Sequence, residues 1–69
     1  MGDFILVFDI PRDMKSEKVK VWRDLNKLGA KMFQYSVWKS SDLKSLIGIA
    51  SFIKKLGGSA SILEEKLIF

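Results

Sequence analysis

Asp9 is the acidic residue best placed for chemistry in this sequence. It follows the apolar run Phe4 to Phe8, and Pro11 then ends the predicted strand, because proline cannot donate a ladder hydrogen bond. A lone carboxylate is a poor site for Mg²⁺, but two copies of Asp9 facing each other across a dimer axis could share one Mg²⁺ or Mn²⁺ ion. The alternative is a strand-end aspartate that caps the following turn, and composition and spacing alone favour that role.

Basic residues form a second candidate site. Eight of the twelve Lys and Arg residues fall in the first 39 positions, together with only five acidic residues. The first predicted helix therefore presents a cationic face that could neutralise the phosphates of DNA or RNA, with Arg12, Lys15 and Lys18 as the candidate backbone contacts. The alternative is an ordinary solvated face of a basic protein, because no recognition-helix motif accompanies these charges.

Aromatic residues form the third candidate. Tyr35 and Trp38 lie beside Ser36 in a segment of strand preference, and exposed aromatic rings on a sheet can stack nucleic-acid bases. Trp38 is therefore a candidate nucleic-acid contact. Such rings more often pack under a helix or in a dimer seam. Trp22 lies on an apolar helical stripe, which predicts a place in the core.

The composition excludes several kinds of chemistry. The sequence contains no Cys and no His. A Ser-His-Asp triad, a thiol nucleophile, a Cys/His zinc site and the usual haem ligands are therefore ruled out. The residues suggest no organic cofactor. The chemistry that remains would use carboxylates, Lys, Arg, Tyr, Ser or backbone groups. If Asp9 holds a metal ion in catalysis, that ion would polarise a phosphate and activate a water, since no imidazole base is present.

The spacing of apolar residues, together with capping residues and glycines, predicts six secondary-structure elements. They are a fully buried central strand over Phe4 to Phe8, a helix capped by Ser16 and ended by Gly29, two short strands within Ala30 to Lys39 that turn near Gln34 to Ser36, a helix from a cap at Ser40 to Asp42 to about Lys55, and a last strand from Ser59 to Phe69. Val19, Val21, Trp22, Leu25 and Leu28 are the predicted apolar stripe of the first helix.

This order, β-α-β-β-α-β, predicts one α+β domain over residues 1–69 with a ferredoxin-like fold. Two helices would cover one face of a four-stranded antiparallel sheet. A chain of 69 residues buries too little surface to be more than marginally stable alone. We therefore expect a homodimer, with the second copy on the other sheet face or along a sheet edge.

The motifs Phe8-Asp9-Ile10-Pro11, Leu28-Gly29 at a helix end and Gln34-Tyr35-Ser36-Val37-Trp38 resemble the small second subunit of CRISPR adaptation, over roughly residues 3–68. The resemblance implies a ferredoxin-like homodimer of antiviral defence that scaffolds the CRISPR integrase on new spacer DNA. Several members are described as metal-dependent endonucleases. By this resemblance Asp9 matches the metal-binding, catalytic aspartate.

Other branches of the superfamily also resemble this sequence. Val21 to Leu25, Leu28 to Ala30 and Gly57 to Ala60 are similar to a domain of phenylacetate-type and chromate-type transcriptional regulators. That likeness implies a non-catalytic dimerisation or protein-interaction module. A toxin ribonuclease of the virulence-associated type is a further alternative with the same fold.

The sequence also suggests where the protein works. The longest unbroken apolar run, Phe4 to Phe8, is far shorter than a membrane span. No small-residue cleavage site follows it, so we expect no signal peptide and no membrane partner. The absence of Cys fits a reducing compartment, and we expect a cytoplasmic protein.

Overall fold

The computed structural model describes residues 2–65, and its elements follow the predicted order. They are β1 (Phe4–Asp9), α1 (Lys15–Lys27), β2 (Lys31–Gln34), β3 (Val37–Ser40), α2 (Leu43–Lys55) and β4 (Ser59–Glu64). The predicted turn between two short strands is confirmed at Tyr35 and Ser36. The last strand was expected to continue to Phe69, and Leu67, Ile68 and Phe69 lie outside the described residues.

The four strands form one antiparallel sheet in the order β2-β3-β1-β4. The first strand is therefore central, as its apolar run predicts, and it pairs with β3 on one side and β4 on the other. Two helices, one after β1 and one after β3, complete the pattern. The ferredoxin-like α+β fold is confirmed.

The strand register separates two faces of the sheet. Leu6 lies opposite both Trp38 and Ile62, and the side chains of this row point into the core. Because successive strand residues point to opposite faces, Val7 points to the other side. Its side chain is 38% exposed. The prediction that the whole of β1 is buried is therefore wrong, since only one face of the sheet is covered.

One hydrophobic core joins the sheet to both helices. Its fully buried side chains are Leu6 and Trp38 from the sheet, Val21 and Leu25 from α1, and Leu46 and Ile53 from α2. The strand residues in this cluster belong to one face of the sheet, so both helices cover that same face. The opposite face has no layer over it among residues 2–65.

Helix α1 differs from its prediction in start and rotation. It begins at Lys15 after Met14, whose N–H donates to the Pro11 carbonyl at 3.1 Å. Ser16 therefore lies inside the first turn and does not cap the helix, because the turn after Pro11 has already started it. Val21 and Leu25 face the core, whereas Val19 and Trp22 are exposed, which corrects the predicted apolar stripe.

Helix α2 has the predicted cap. The Asp42 carboxylate accepts hydrogen bonds from the Ser45 backbone N–H at 3.1 Å and from the Ser45 hydroxyl at 2.7 Å. These bonds stabilise the ionised form, so they hold the pKa of Asp42 below its ordinary value of 3.8. The helix ends before Gly57, whose φ of 90° belongs to the left-handed region that glycine tolerates.

Two glycines have opposite surroundings. Gly48 lies in the interior of α2, and a Cβ added there would meet no atom within 4 Å. Gly58, the residue before β4, approaches the Asp9 carbonyl so closely that an added Cβ would collide with it. Gly58 is therefore required by packing, whereas Gly48 only lowers the helix propensity of α2.

We predict that Gly48→Ala raises the free energy of unfolding by about 0.5–1 kcal/mol, because alanine has the higher helix propensity. Urea unfolding followed by circular dichroism measures the change. Gly58→Ala is the matched variant and should lower stability by more than Gly48→Ala raises it. Equal effects of the two substitutions would contradict this description of β1 and β4.

Candidate nucleic-acid interface

A groove of about 430 Å³ lies where the end of β1, the first half of α1 and the β2–β3 turn meet. Hereafter it is called the groove. Its lining consists of Phe8, Asp9, Ile10, Lys18, Val19, Trp22, Tyr35 and Ser36. The Phe8 N–H donates to the Ser36 carbonyl at 3.0 Å, which holds the strand end against the turn. The groove is mostly apolar, and its lining residues with charged or hydroxyl-bearing side chains are Asp9, Lys18, Tyr35 and Ser36.

Asp9 is exposed at the end of β1 and lines this groove, opposite Ser59 in the strand register. Within residues 2–65, no cluster of three or more acidic side chains is placed to hold a metal ion. One carboxylate does not complete a Mg²⁺ or Mn²⁺ site, because these ions take several oxygen ligands. The ligand set of a single described chain therefore does not fit such an ion.

The two tryptophans exchange their predicted roles. Trp38 was a candidate for stacking on a base, but only 1% of its surface is exposed, so it has no free ring face and is not a nucleic-acid contact. Trp22 was expected in the core, yet it is 48% exposed and lines the groove. The register that pairs Trp38 with Leu6 buries the first ring. The rotation of α1 toward Val21 and Leu25 leaves the second outside.

Trp38 nevertheless positions the groove from beneath. Its ring meets Trp22 edge to face, with centroids 6.5 Å apart and an angle of 82° between the ring planes. Its Nε1–H donates to the Tyr35 carbonyl at 2.9 Å. One buried side chain thus supports both exposed aromatic residues of the groove. Tyr35 itself is 84% exposed at the tip of the turn.

The three candidate basic residues are all exposed, but they do not converge on one point. Lys18 lines the groove, and Lys15 lies one turn earlier on the same side of α1. Arg12 lies in the connection before α1 and is not part of the groove lining. Among the ion pairs within residues 2–65, none includes these three side chains.

Most of the net positive charge of the chain lies in α1 and the residues just before it. Positions 12–27 contain six basic and three acidic residues, so they supply three of the four net positive charges of the chain. One of the six, Lys20, is paired with Asp24 at 2.9 Å. The cationic surface is defined here as the remaining exposed side chains, Arg12, Lys15, Lys18, Arg23 and Lys27.

The uncovered side of the sheet forms a second surface, called the open face. Its apolar members are Ile5, Val7, Val37 and Leu63, which the register places in adjacent rows. Lys39 lies on the same side and forms ion pairs with Asp3 at 3.6 Å and Glu65 at 3.3 Å. The Lys39 ammonium also lies 5.7 Å from the centre of the Phe33 ring. The open face therefore combines apolar side chains with a group of positively and negatively charged residues along one margin.

The sequence matches no protein-family model and no curated protein. The resemblance to the CRISPR adaptation subunit, and to the regulator and toxin branches, thus stays a prediction that rests on the quoted motifs. Within residues 2–65, no helix has the length and apolar character needed to cross a membrane.

Sequence reasoning found Asp9 and Lys18 but missed Val19 and Trp22 as groove residues. The available signal was the pair Val21 and Leu25, which with Leu28 makes a complete helical stripe without Val19 and Trp22. Tyr35 was grouped with Trp38 as a candidate exposed ring, whereas in the structure it lines the groove together with Trp22. Strand preference cannot say which of two aromatic residues in a hairpin faces the core.

Proposed function

We propose that this protein is a nucleic-acid-binding homodimer. The observation that carries the proposal is the cationic surface, of which Lys18 lines a groove with two exposed aromatic rings and Lys15 lies one helical turn away. Unpaired cations on one helix neutralise successive phosphates and release counterions from the nucleic acid. Exposed aromatic rings beside them provide surfaces on which bases stack.

Dimer formation through the open face supports the same function. A small sheet with helices on one side leaves apolar side chains of its central strand in water, and burying them stabilises an assembly by about 25 cal/mol per Å². Lys39 with Asp3 and Glu65 gives this face both signs of charge, so a second copy rotated by 180° can pair opposite charges. Two copies would also double the cationic surface.

Endonuclease activity is a separate prediction that depends on Asp9. One chain supplies a single carboxylate at this position, so the remaining oxygen ligands for Mg²⁺ or Mn²⁺ would come from the second copy or from the nucleic acid. The CRISPR integrase partner follows only from the motif resemblance and stays a prediction with it.

A non-catalytic dimerisation or protein-interaction module is the second candidate function. The open face favours it, because the same apolar surface would serve a dimer that binds no nucleic acid. The two functions differ in what they require of α1. The nucleic-acid proposal requires the cationic surface, and the interaction module does not.

We predict that the protein binds DNA or RNA oligonucleotides with an affinity that falls steeply with salt. Lys15→Ala and Lys18→Ala should each weaken binding and lower the log–log salt slope by about 0.7 on a single strand. Fluorescence anisotropy across a salt series measures the slope. Lys54→Ala, at the far end of α2, is the control and should leave the slope unchanged. If the protein shows no salt-dependent binding, the nucleic-acid proposal is refuted and the protein-interaction module remains as the candidate function.

We predict that Leu63→Asp raises the dimer dissociation constant at least about tenfold, because each dimer loses two buried leucine side chains. Sedimentation equilibrium measures the constant. Ile47→Asp is the control, since Ile47 is about as exposed as Leu63 but lies on α2, on the other side of the sheet. A monomeric wild type, or an equal effect of both variants, would refute dimerisation through the open face.

We predict that oligonucleotide binding survives chelation of divalent ions, because Asp9 is the sole carboxylate of the groove lining. Incubation of single- and double-stranded DNA and RNA with Mg²⁺, Mn²⁺ or chelator, for wild type and Asp9→Asn, tests this and the endonuclease prediction together. Metal-dependent cleavage that disappears in Asp9→Asn would assign a catalytic metal site to Asp9. Equal cleavage by both proteins would indicate a contaminating nuclease.

A further inference from the structure

The groove has the size and lining of a ligand site. Its volume of about 430 Å³ falls within the range of roughly 300–1,000 Å³ in which small-molecule pockets lie. Such pockets are mostly apolar with a few polar groups that fix the ligand's orientation. The groove has this composition, because apolar surface dominates its lining and only Asp9, Lys18, Tyr35 and Ser36 among the lining residues carry charged or hydroxyl groups.

Trp22 and Tyr35 expose aromatic surface that core packing does not use. Trp22 has nearly half of its surface in water although it lies beside the core residues Val21 and Leu25, and Tyr35 is exposed over 84% of its surface. Trp38 packs edge to face against the Trp22 ring, and its hydrogen bond to the Tyr35 carbonyl fixes the backbone of the turn that carries Tyr35. The Trp22 ring is therefore partly restrained, so it loses less conformational entropy when a planar ligand stacks on it.

The charges indicate which planar ligand fits. Lys18 lies one helical turn from Trp22, so a ligand stacked on the Trp22 ring can place an anionic group near the lysine ammonium. Lys15 continues the cationic surface one turn further along α1. A planar ring connected to a chain of regularly spaced anions is the chemistry of a nucleic-acid strand.

The exposed rings restrict the ligand further. A base can stack on Trp22 or Tyr35 only with a free ring face. In a duplex the neighbouring base pairs cover these faces, whereas an unpaired base of a single strand can turn outward and expose them.

We propose that the groove binds an unpaired base of single-stranded nucleic acid, stacked on Trp22 and Tyr35, with Lys18 on the adjacent phosphate. This inference rests on the proposed nucleic-acid function and specifies its substrate as single-stranded. The duplex, whose bases are paired and stacked, contacts the cationic surface without entering the groove.

The test compares three labelled probes of equal length by fluorescence anisotropy at one salt concentration: a single strand, the same strand with abasic sites, and a duplex. Trp22→Leu and Tyr35→Ser should each weaken binding to the single strand about tenfold, as expected for the loss of one stacked base. Both should leave duplex binding unchanged. Wild type should prefer the intact strand over the abasic strand, and the two variants should lose that preference.

Two further variants separate stacking from structure. Tyr35→Phe retains the ring and should bind like wild type. Ile47→Ser removes a similarly exposed apolar side chain from α2 and should also bind like wild type. Urea unfolding midpoints establish that the variants are folded. Quenching of tryptophan emission by the single strand should be present in wild type and lost in Trp22→Leu, which keeps only the buried Trp38.

The two ways of failing are distinguishable. Binding that depends on Lys15 and Lys18 but is unaffected by Trp22→Leu and Tyr35→Ser would overturn the groove inference alone. Equal affinity of wild type for intact and abasic strands would do the same. No binding of any probe by wild type would overturn both the inference and the proposed function.

Discussion

The hydrogen bond from the Trp38 indole to the Tyr35 carbonyl is the constraint on which the rest of the structure depends. A tryptophan buried in an apolar core needs a partner for its N–H, since an unsatisfied donor there is costly. The turn that follows β2 supplies that partner at 2.9 Å. The same ring lies opposite Leu6 in the sheet and meets Trp22 on α1. Core packing, hairpin geometry and the groove are therefore fixed by one side chain.

The order of the elements was predictable because each is marked locally. Asp42 and Gly57 mark the two ends of α2, and the alternation around Tyr35 marks a hairpin. The burial of individual aromatic residues was not predictable in the same way. It depends on the pairing of Trp38 with Leu6, across more than 30 positions of sequence, and on a rotation of α1 that only contact with the sheet decides. Asp9 and Lys18 were found because charge and strand ends are local features.

The two candidate surfaces lie on different layers of the molecule. The cationic surface belongs to α1 and the connection before it, whereas the open face is the side of the sheet away from the helices. Association through the open face would therefore leave the helices accessible. Leu63 and Lys18 therefore lie on opposite sides of the sheet, and a substitution at one does not alter the surroundings of the other. Asp9 lies at the end of the central strand and is one of the groove-lining residues.

The pairing of β1 with β4 affects how the chain folds while it is being synthesised on the ribosome. Phe4 lies opposite Glu64 and Asp9 opposite Ser59, so the first strand to be made receives one of its two neighbours last. Until β4 emerges, one edge of an apolar strand stays unpaired and can join another nascent chain. The sheet cannot close progressively during translation. Folding of this domain is therefore a late event, completed only when nearly all of its residues have left the exit tunnel.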